Sequence, residues 1–165
     1  MTFPKELIGK LWHTTSVERY EQILVSGDIL PNPPIDDSER WKTNKGSDLF
    51  PYVRILGGVS LFDFDNFDED DYSEKYPICS WSTFVPYTKK WKESVWIEIQ
   101  QEKIIDNYIS GHELLLRWKK DEAYKHTFMP LIEAAHLGPI PTSAFGEILI
   151  SRSENSKLVE YDVAS

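Results

Sequence analysis

Leu11-Trp12-His13-Thr14-Thr15-Ser16-Val17-Glu18 is the stretch that organises this chain. An apolar pair followed by one histidine and two hydroxyls reads as the end of a strand, and the next residues start a helix at once. Thr15-Ser16-Val17-Glu18 has the form of a capping box, in which the threonine oxygen and the glutamate carboxylate each accept a hydrogen bond from a free backbone amide of the first turn. Val17, Tyr20, Ile23 and Leu24 recur at helical spacing and define one buried face. Gly27 supplies the left-handed residue that closes such a helix. The pattern predicts a polar cluster held rigidly where a strand meets a helix.

Around this stretch lie 165 residues, a length that fits one domain over residues 1–165 with a short polar tail from Ser151. Aromatic residues make up 13% of the chain, enough to supply both core surface and flat faces for a ring-containing ligand. No apolar run approaches the roughly 18 residues that span a bilayer, so no membrane partner is expected. The opening Met1-Thr2-Phe3-Pro4-Lys5-Glu6 lacks the pattern of a signal peptide. Cys79 is the single cysteine, which excludes an intramolecular disulfide; together these features point to a cytoplasmic setting. The formal net charge of −9 argues against a broad nucleic-acid surface, which needs clustered cations. Lys89, Lys90 and Lys92 around Trp91, and Lys119 and Lys120 after Trp118, read as solvating lysines.

Further along, Pro31-Asn32-Pro33-Pro34 through Gly46-Ser47-Asp48 reads as a long loop, a feature often tied to function. Val53-Arg54-Ile55-Leu56 reads as a strand or turn, Gly57-Gly58 as a tight turn, and Val59-Ser60-Leu61-Phe62 as a buried strand. The acidic run from Asp63 to Glu74 fails the calcium-loop spacing, because the sixth position from Asp63 is Asp68 rather than glycine, and reads as a solvated loop. Ser94 to Ile99 is a strand, Gln101 to Ile109 a short helix, and Glu113 to Lys119 either a strand or a helix. Phe128 to Ala135 reads as a strand carrying Glu133, Gly138-Pro139-Ile140-Pro141 as a turn, and Phe145 to Ile150 as the last buried strand. This mixed order predicts an α+β domain.

The common catalytic motifs are missing. There is no G-x-S-x-G, Walker loop or G-x-G-x-x-G, and His112-Glu113 is followed by Leu116 where a zinc protease needs a second histidine. Glu133 and His136 would suit a metal only on a helix, which Pro130 and the Gly138-Pro139 turn disfavour; no metal is expected. Cys79 has no activating base near it in sequence and reads as a structural thiol. His13 and two glutamates in apolar surroundings, Glu133 and Glu147, stand out, because a buried carboxylate needs a partner or an altered pKa.

Trp12-His13-Thr14-Thr15, a helix ending at Ile23-Leu24 and Gly27, and Leu30-Pro31 behind it together resemble the opening of the ADP-ribosyltransferase superfamily. The nearest likeness in pattern is to the bacterial DNA-targeting toxins of toxin–antitoxin pairs. The resemblance implies a split, twisted β-sheet with flanking helices and NAD⁺ as substrate in its cleft. It implies that His13 touches the ribose or nicotinamide, with Thr14 or Thr15 beside it, and that Ser60 lines the nicotinamide pocket. It further implies stacking on Phe62 or Tyr52, a grip on the phosphates by Arg54, and Glu133 as the essential carboxylate, with Glu147 the alternative.

The activity so implied is mono-ADP-ribosyl transfer, a glycosyl transfer that releases nicotinamide and places ADP-ribose on a protein or nucleic-acid acceptor. An ionised Glu133 would stabilise the oxocarbenium-like transition state near the ribose 2′-hydroxyl or the incoming nucleophile. The competing expectation is an inactive acidic interaction module of immunity or antitoxin type on the same scaffold, acting on a basic protein. A third is hydrolysis of NAD⁺ without an acceptor. Whether His13 and Glu133 face one cleft separates a catalyst from a binding module.

Overall fold

The computed structural model describes residues 3–36, 49–79, 81–86, 92–152 and 157–162. Leu11–Thr15 forms β1, the central strand, and only Ser16 separates it from α1 (Val17–Ser26). There follow β2 (Asp28–Ile29), α2 (Tyr52–Ile55), β3 (Gly58–Asp63), α3 (Glu69–Lys75), β4 (Glu93–Ile99) and β5 (Tyr108–Ile109). The chain continues through α4 (Gly111–Lys120), β6 (Glu133–Leu137), β7 (Ile140–Pro141), β8 (Phe145–Arg152) and β9 (Leu158–Glu160). Seven strands form one sheet in the order β5-β6-β3-β1-β4-β8-β9, and β2 pairs with β7 in a small second sheet. Every pairing among the described residues is antiparallel, so the protein is of mixed α+β class.

Two apolar layers cover the sheet. The aromatic residues concentrate on one face, where Phe3, Trp12, Phe64, Trp81 and Trp96 pack together, with Phe3 and Phe64 rings 4.8 Å apart. On the other face Tyr20 and Ile23 of α1 pack on Leu61, Val95, Ile97 and Ala134. A smaller cluster seats Tyr52 and Val53 of α2 and Leu114 of α4 against Ile109 and Ala135. No helix among the described residues is long and apolar enough to cross a membrane.

The cap is Ser16 rather than Thr15, which leaves Arg19 and not Glu18 at the third helical position, so the helix has a serine N-cap instead of the expected capping box. Ser16 is the N-cap, its Oγ accepting from the Arg19 amide at 3.2 Å, because Thr15 is still paired with Val95 as the last rung of β1. Gly27 closes α1 at φ 87° as expected, its N–H donating to the Ile23 carbonyl. Leu24 is 41% exposed and does not join the buried face.

Val53–Leu56 is neither strand nor simple turn. Pro51 caps a single helical turn there, a position that needs no N–H, and Gly57 at φ 74° turns the chain into β3. The acidic run is partly helical. Asp68 caps α3 by accepting from the Asp71 amide at 2.9 Å, and Glu69, Asp70 and Asp71 fill the first turn, where the helix dipole favours negative charge. Residues 101–109 form two 3-10 turns and then β5, while residues 113–119 lie within α4, capped by Ser110.

The strand carrying Glu133 begins only at that residue. Pro130 has no N–H for a ladder and Leu131 adopts φ 63°, so residues 128–132 cross irregularly to the sheet. Ile140 and Pro141 of the expected turn pair as β7 with β2. The polar tail is also revised: Ser151 is buried within β8, and β9 pairs on β8 with Leu158 buried. Lys89, Lys90, Trp91 and the loop residues 37–48 lie outside the described residues.

Candidate functional site

The site is made by a parting in the sheet. β1 pairs with β4 along four residues, from Trp12↔Glu98 to Thr15↔Val95, but its ladder with β3 stops at Trp12↔Phe62. Beyond that rung the link between the strands is a side chain: His13 Nδ1 donates to the Ser60 carbonyl at 3.0 Å. Trp12 anchors the strand, wholly buried, with Nε1 donating to the Leu7 carbonyl at 2.9 Å.

Register places the other polar groups. β3 pairs with β6 from Gly58↔Leu137 to Phe62↔Glu133, so Ser60, Phe62 and Glu133 share one face of the sheet. His13 belongs to the alternate set and meets them only because β1 and β3 separate. Ser60 Oγ donates to Glu133 Oε1 at 3.0 Å, and the Met129 amide donates to Oε2 at 3.1 Å. The Glu133 amide in turn donates to the Met129 carbonyl at 2.9 Å. Both carboxylate oxygens thus accept a hydrogen bond, and Ser60 touches both residues through separate groups, its backbone carbonyl accepting from His13 and its hydroxyl donating to Glu133.

A cavity of about 660 Å³ opens over these residues, within the range of small-molecule sites. His13, Thr14, Thr15, Arg54, Ser60, Phe62 and Glu133 all line it. Thr14 Oγ1 donates to the Val95 carbonyl at 3.1 Å, and Thr15 is buried. Phe62 stacks on Phe64 at 5.7 Å, which fixes its ring as a wall. The Arg54 guanidinium lies 3.8 Å from the centre of the Phe50 ring.

Tyr52 and Glu147 are placed elsewhere. Tyr52 is buried in the cluster under α2, its hydroxyl donates to Asp121 Oδ2 at 2.5 Å, and burial first and then Asp121 push its pKa up to about 12. Glu147 lies on β8, where its carboxylate is 3.9 Å from Lys10 Nζ, and it does not line the cavity. Glu133 and His136, three apart on a strand, point to opposite faces, and His136 Nδ1 donates to the Gly138 carbonyl. Cys79, half-buried, lines the cavity.

The electrostatics of the site differ from those of the chain. Glu133 is the one carboxylate in the described lining, against two arginines, Arg54 and Arg19. Arg19 was not among the residues expected from sequence, because an arginine on an amphipathic helix reads as a solvent-facing charge. The Ser16 cap turns the first turn of α1 into the cavity and takes Arg19 with it. Burial lowers the His13 pKa, partly offset by the bond to Ser60 and reinforced by the positive charge of Arg19. His13 is therefore neutral at pH 7 with its proton on Nδ1, and Nε2 is left as an acceptor for a ligand hydroxyl. A fixed carboxylate, a neutral imidazole acceptor, an aromatic wall and two cations suit a ligand that carries hydroxyls, a flat ring and negative charge.

Among known proteins, no family model and no curated sequence matches this chain.

Proposed function

We propose that the chain is an NAD⁺-dependent mono-ADP-ribosyltransferase, built on an ADP-ribosyltransferase-like split sheet. The observation that carries this reading is the meeting of His13, Ser60 and Glu133 across three adjacent strands, β1, β3 and β6, at the floor of one cavity. These are the histidine, serine and glutamate that the resemblance assigns to the donor site. In this reading His13 Nε2 accepts a hydrogen bond from a ribose hydroxyl, and Phe62 confines the nicotinamide ring. Arg54 and Arg19 face the diphosphate.

The chemistry follows from the charge that develops. As the bond between ribose C1′ and the nicotinamide nitrogen lengthens, positive charge builds on the ribose. Glu133, aimed by Ser60 and the Met129 amide, stabilises that charge without having to reorganise. Holding donor and acceptor in line contributes several kcal/mol more, a magnitude typical of oriented reactants.

Calorimetric titration with NAD⁺, with nicotinamide assayed in the same samples, tests the reading. Binding is expected, with nicotinamide release that falls at least about 100-fold in Glu133→Gln while the fold is kept. Full release from that variant would reject Glu133 as the essential carboxylate. Folded protein that neither binds NAD⁺ nor releases nicotinamide would reject the enzyme and favour the acidic interaction module. Release without label on any macromolecule would identify a hydrolase.

A further inference from the structure

The cavity has a second wall that the donor site does not use. Trp118, Tyr124, His126 and Phe128, from the end of α4 and the connection to β6, line the same space as Glu133. This connection is tightly tied. The Trp118 ring donates through Nε1 to the His126 carbonyl at 3.2 Å and lies 5.5 Å from the Phe128 ring. The His126 amide donates to the Ala123 carbonyl, and the Thr127 carbonyl accepts from the Tyr52 amide. Tyr124 stands edge-on to Trp118 and is 61% exposed, an open aromatic face at the cavity. The His126 imidazole itself is fixed by Nδ1, which donates to the Phe50 carbonyl at 2.7 Å. A carbonyl only accepts, so Nδ1 carries a proton and Nε2 is the ring nitrogen that can hold a lone pair.

Transfer to an acceptor requires a proton to leave the nucleophile, and the donor-site groups are engaged. In the reading above Glu133 faces the cationic ribose and His13 accepts from a ribose hydroxyl, so both are committed to the donor. We propose that His126 is the general base that takes the proton from the attacking O–H or N–H of the acceptor, seated in the lobe walled by Trp118 and Tyr124. This rests on the NAD⁺ reading above. The nucleophile's lone pair forms the new bond to ribose C1′, and the C1′–nitrogen bond breaks with its electron pair passing to the departing nicotinamide. The proton moves to His126 Nε2 and then to solvent, so NAD⁺ and the protic acceptor give the ADP-ribosylated product, nicotinamide and one proton.

Water serves as the acceptor in the test, with nicotinamide release and NAD⁺ affinity measured side by side on the whole chain. His126→Asn retains an N–H near the Nδ1 position for the Phe50 carbonyl but has no base. It is expected to bind NAD⁺ within about twofold of wild type and to release nicotinamide roughly 100-fold more slowly, the usual scale of general-base catalysis. Added imidazole is expected to restore much of the lost rate in His126→Ala. Undiminished release by His126→Asn would overturn the assignment and leave the donor site standing. A matching loss of NAD⁺ affinity would overturn it too, by making His126 a donor ligand. Wild-type protein that does not bind NAD⁺ would remove the donor reading, and this inference with it.

Discussion

His13 carries the clearest single-residue consequence. Burial holds its imidazole below the ordinary value of 6.5, so below that pH the unfolded chain takes up the proton more readily than the folded one. The stability that goes with neutral His13 is full above about pH 6.5 and is lost as the pH falls below it. Urea midpoints measured between pH 7 and pH 5 are expected to fall further in wild type than in His13→Asn, which keeps a donor for the Ser60 carbonyl and does not titrate. Equal falls would show that another group sets the dependence. At this scale a polar residue in apolar surroundings was the legible signal, and the two that stood out on it, His13 and Glu133, line one cavity. The sequence was misleading at Tyr52, whose hydroxyl is satisfied by Asp121 inside the protein. It was silent on Arg19, Trp118, Tyr124 and His126, whose surroundings in the chain look like ordinary surface.

At the scale of elements, α4 controls where Glu133 sits. Its first residue, Gly111, is pressed on the Leu131 backbone, two residues before Glu133, so that a methyl group there would overlap the Leu131 carbonyl oxygen. Alanine is the better helix former by about 1 kcal/mol, yet overpacking against backbone typically costs about 1–3 kcal/mol. Gly111→Ala is therefore expected to be destabilising in thermal unfolding and, under the proposed transferase reading, to slow nicotinamide release by displacing the carboxylate. Gly146→Ala is the comparison: a methyl there meets the Glu98 side chain rather than backbone, at 2.5 Å from Oε1. The clash is relieved by moving that side chain, at the expense of its bond from the Glu147 amide, and a smaller loss is expected. Comparable Tm losses in the two variants would refute this account. The elements that were hard to read from sequence share one cause. Residues 53–56 and 128–132 are apolar enough for strands, but Pro51, Pro130 and the left-handed Leu131 decide otherwise. The acidic run gave no apolar period because Tyr72 is the one buried residue of α3.

For the molecule as a whole, a ligand that binds only the folded cavity must stabilise the entire chain. If the proposed donor site binds NAD⁺, the nucleotide at 100 times its Kd contributes about 2.7 kcal/mol. In a chain of this size that corresponds to a rise of roughly 5–11 °C in Tm. A scan with and without NAD⁺ reads this directly, and an unchanged Tm at saturating NAD⁺ would contradict the donor site. The mixed α+β class was legible from the alternation of element types. The order of the sheet was not, because β1 lies between β3 and β4, partners far away in the chain, and no local pattern encodes that choice.

The outermost strands of the sheet have one more consequence. β5 has two residues and β9 has three, and β9 ends on an exposed glutamate. A long, bare strand at a sheet border invites a strand from a neighbouring molecule to add on, the first step toward ordered aggregates. Among the described residues, the end strands themselves offer an incoming strand two residues at β5 and three at β9, and at β9 a negative charge beside them. Short, charged margins of this kind are the sort that keep a wide antiparallel sheet from adding copies of itself.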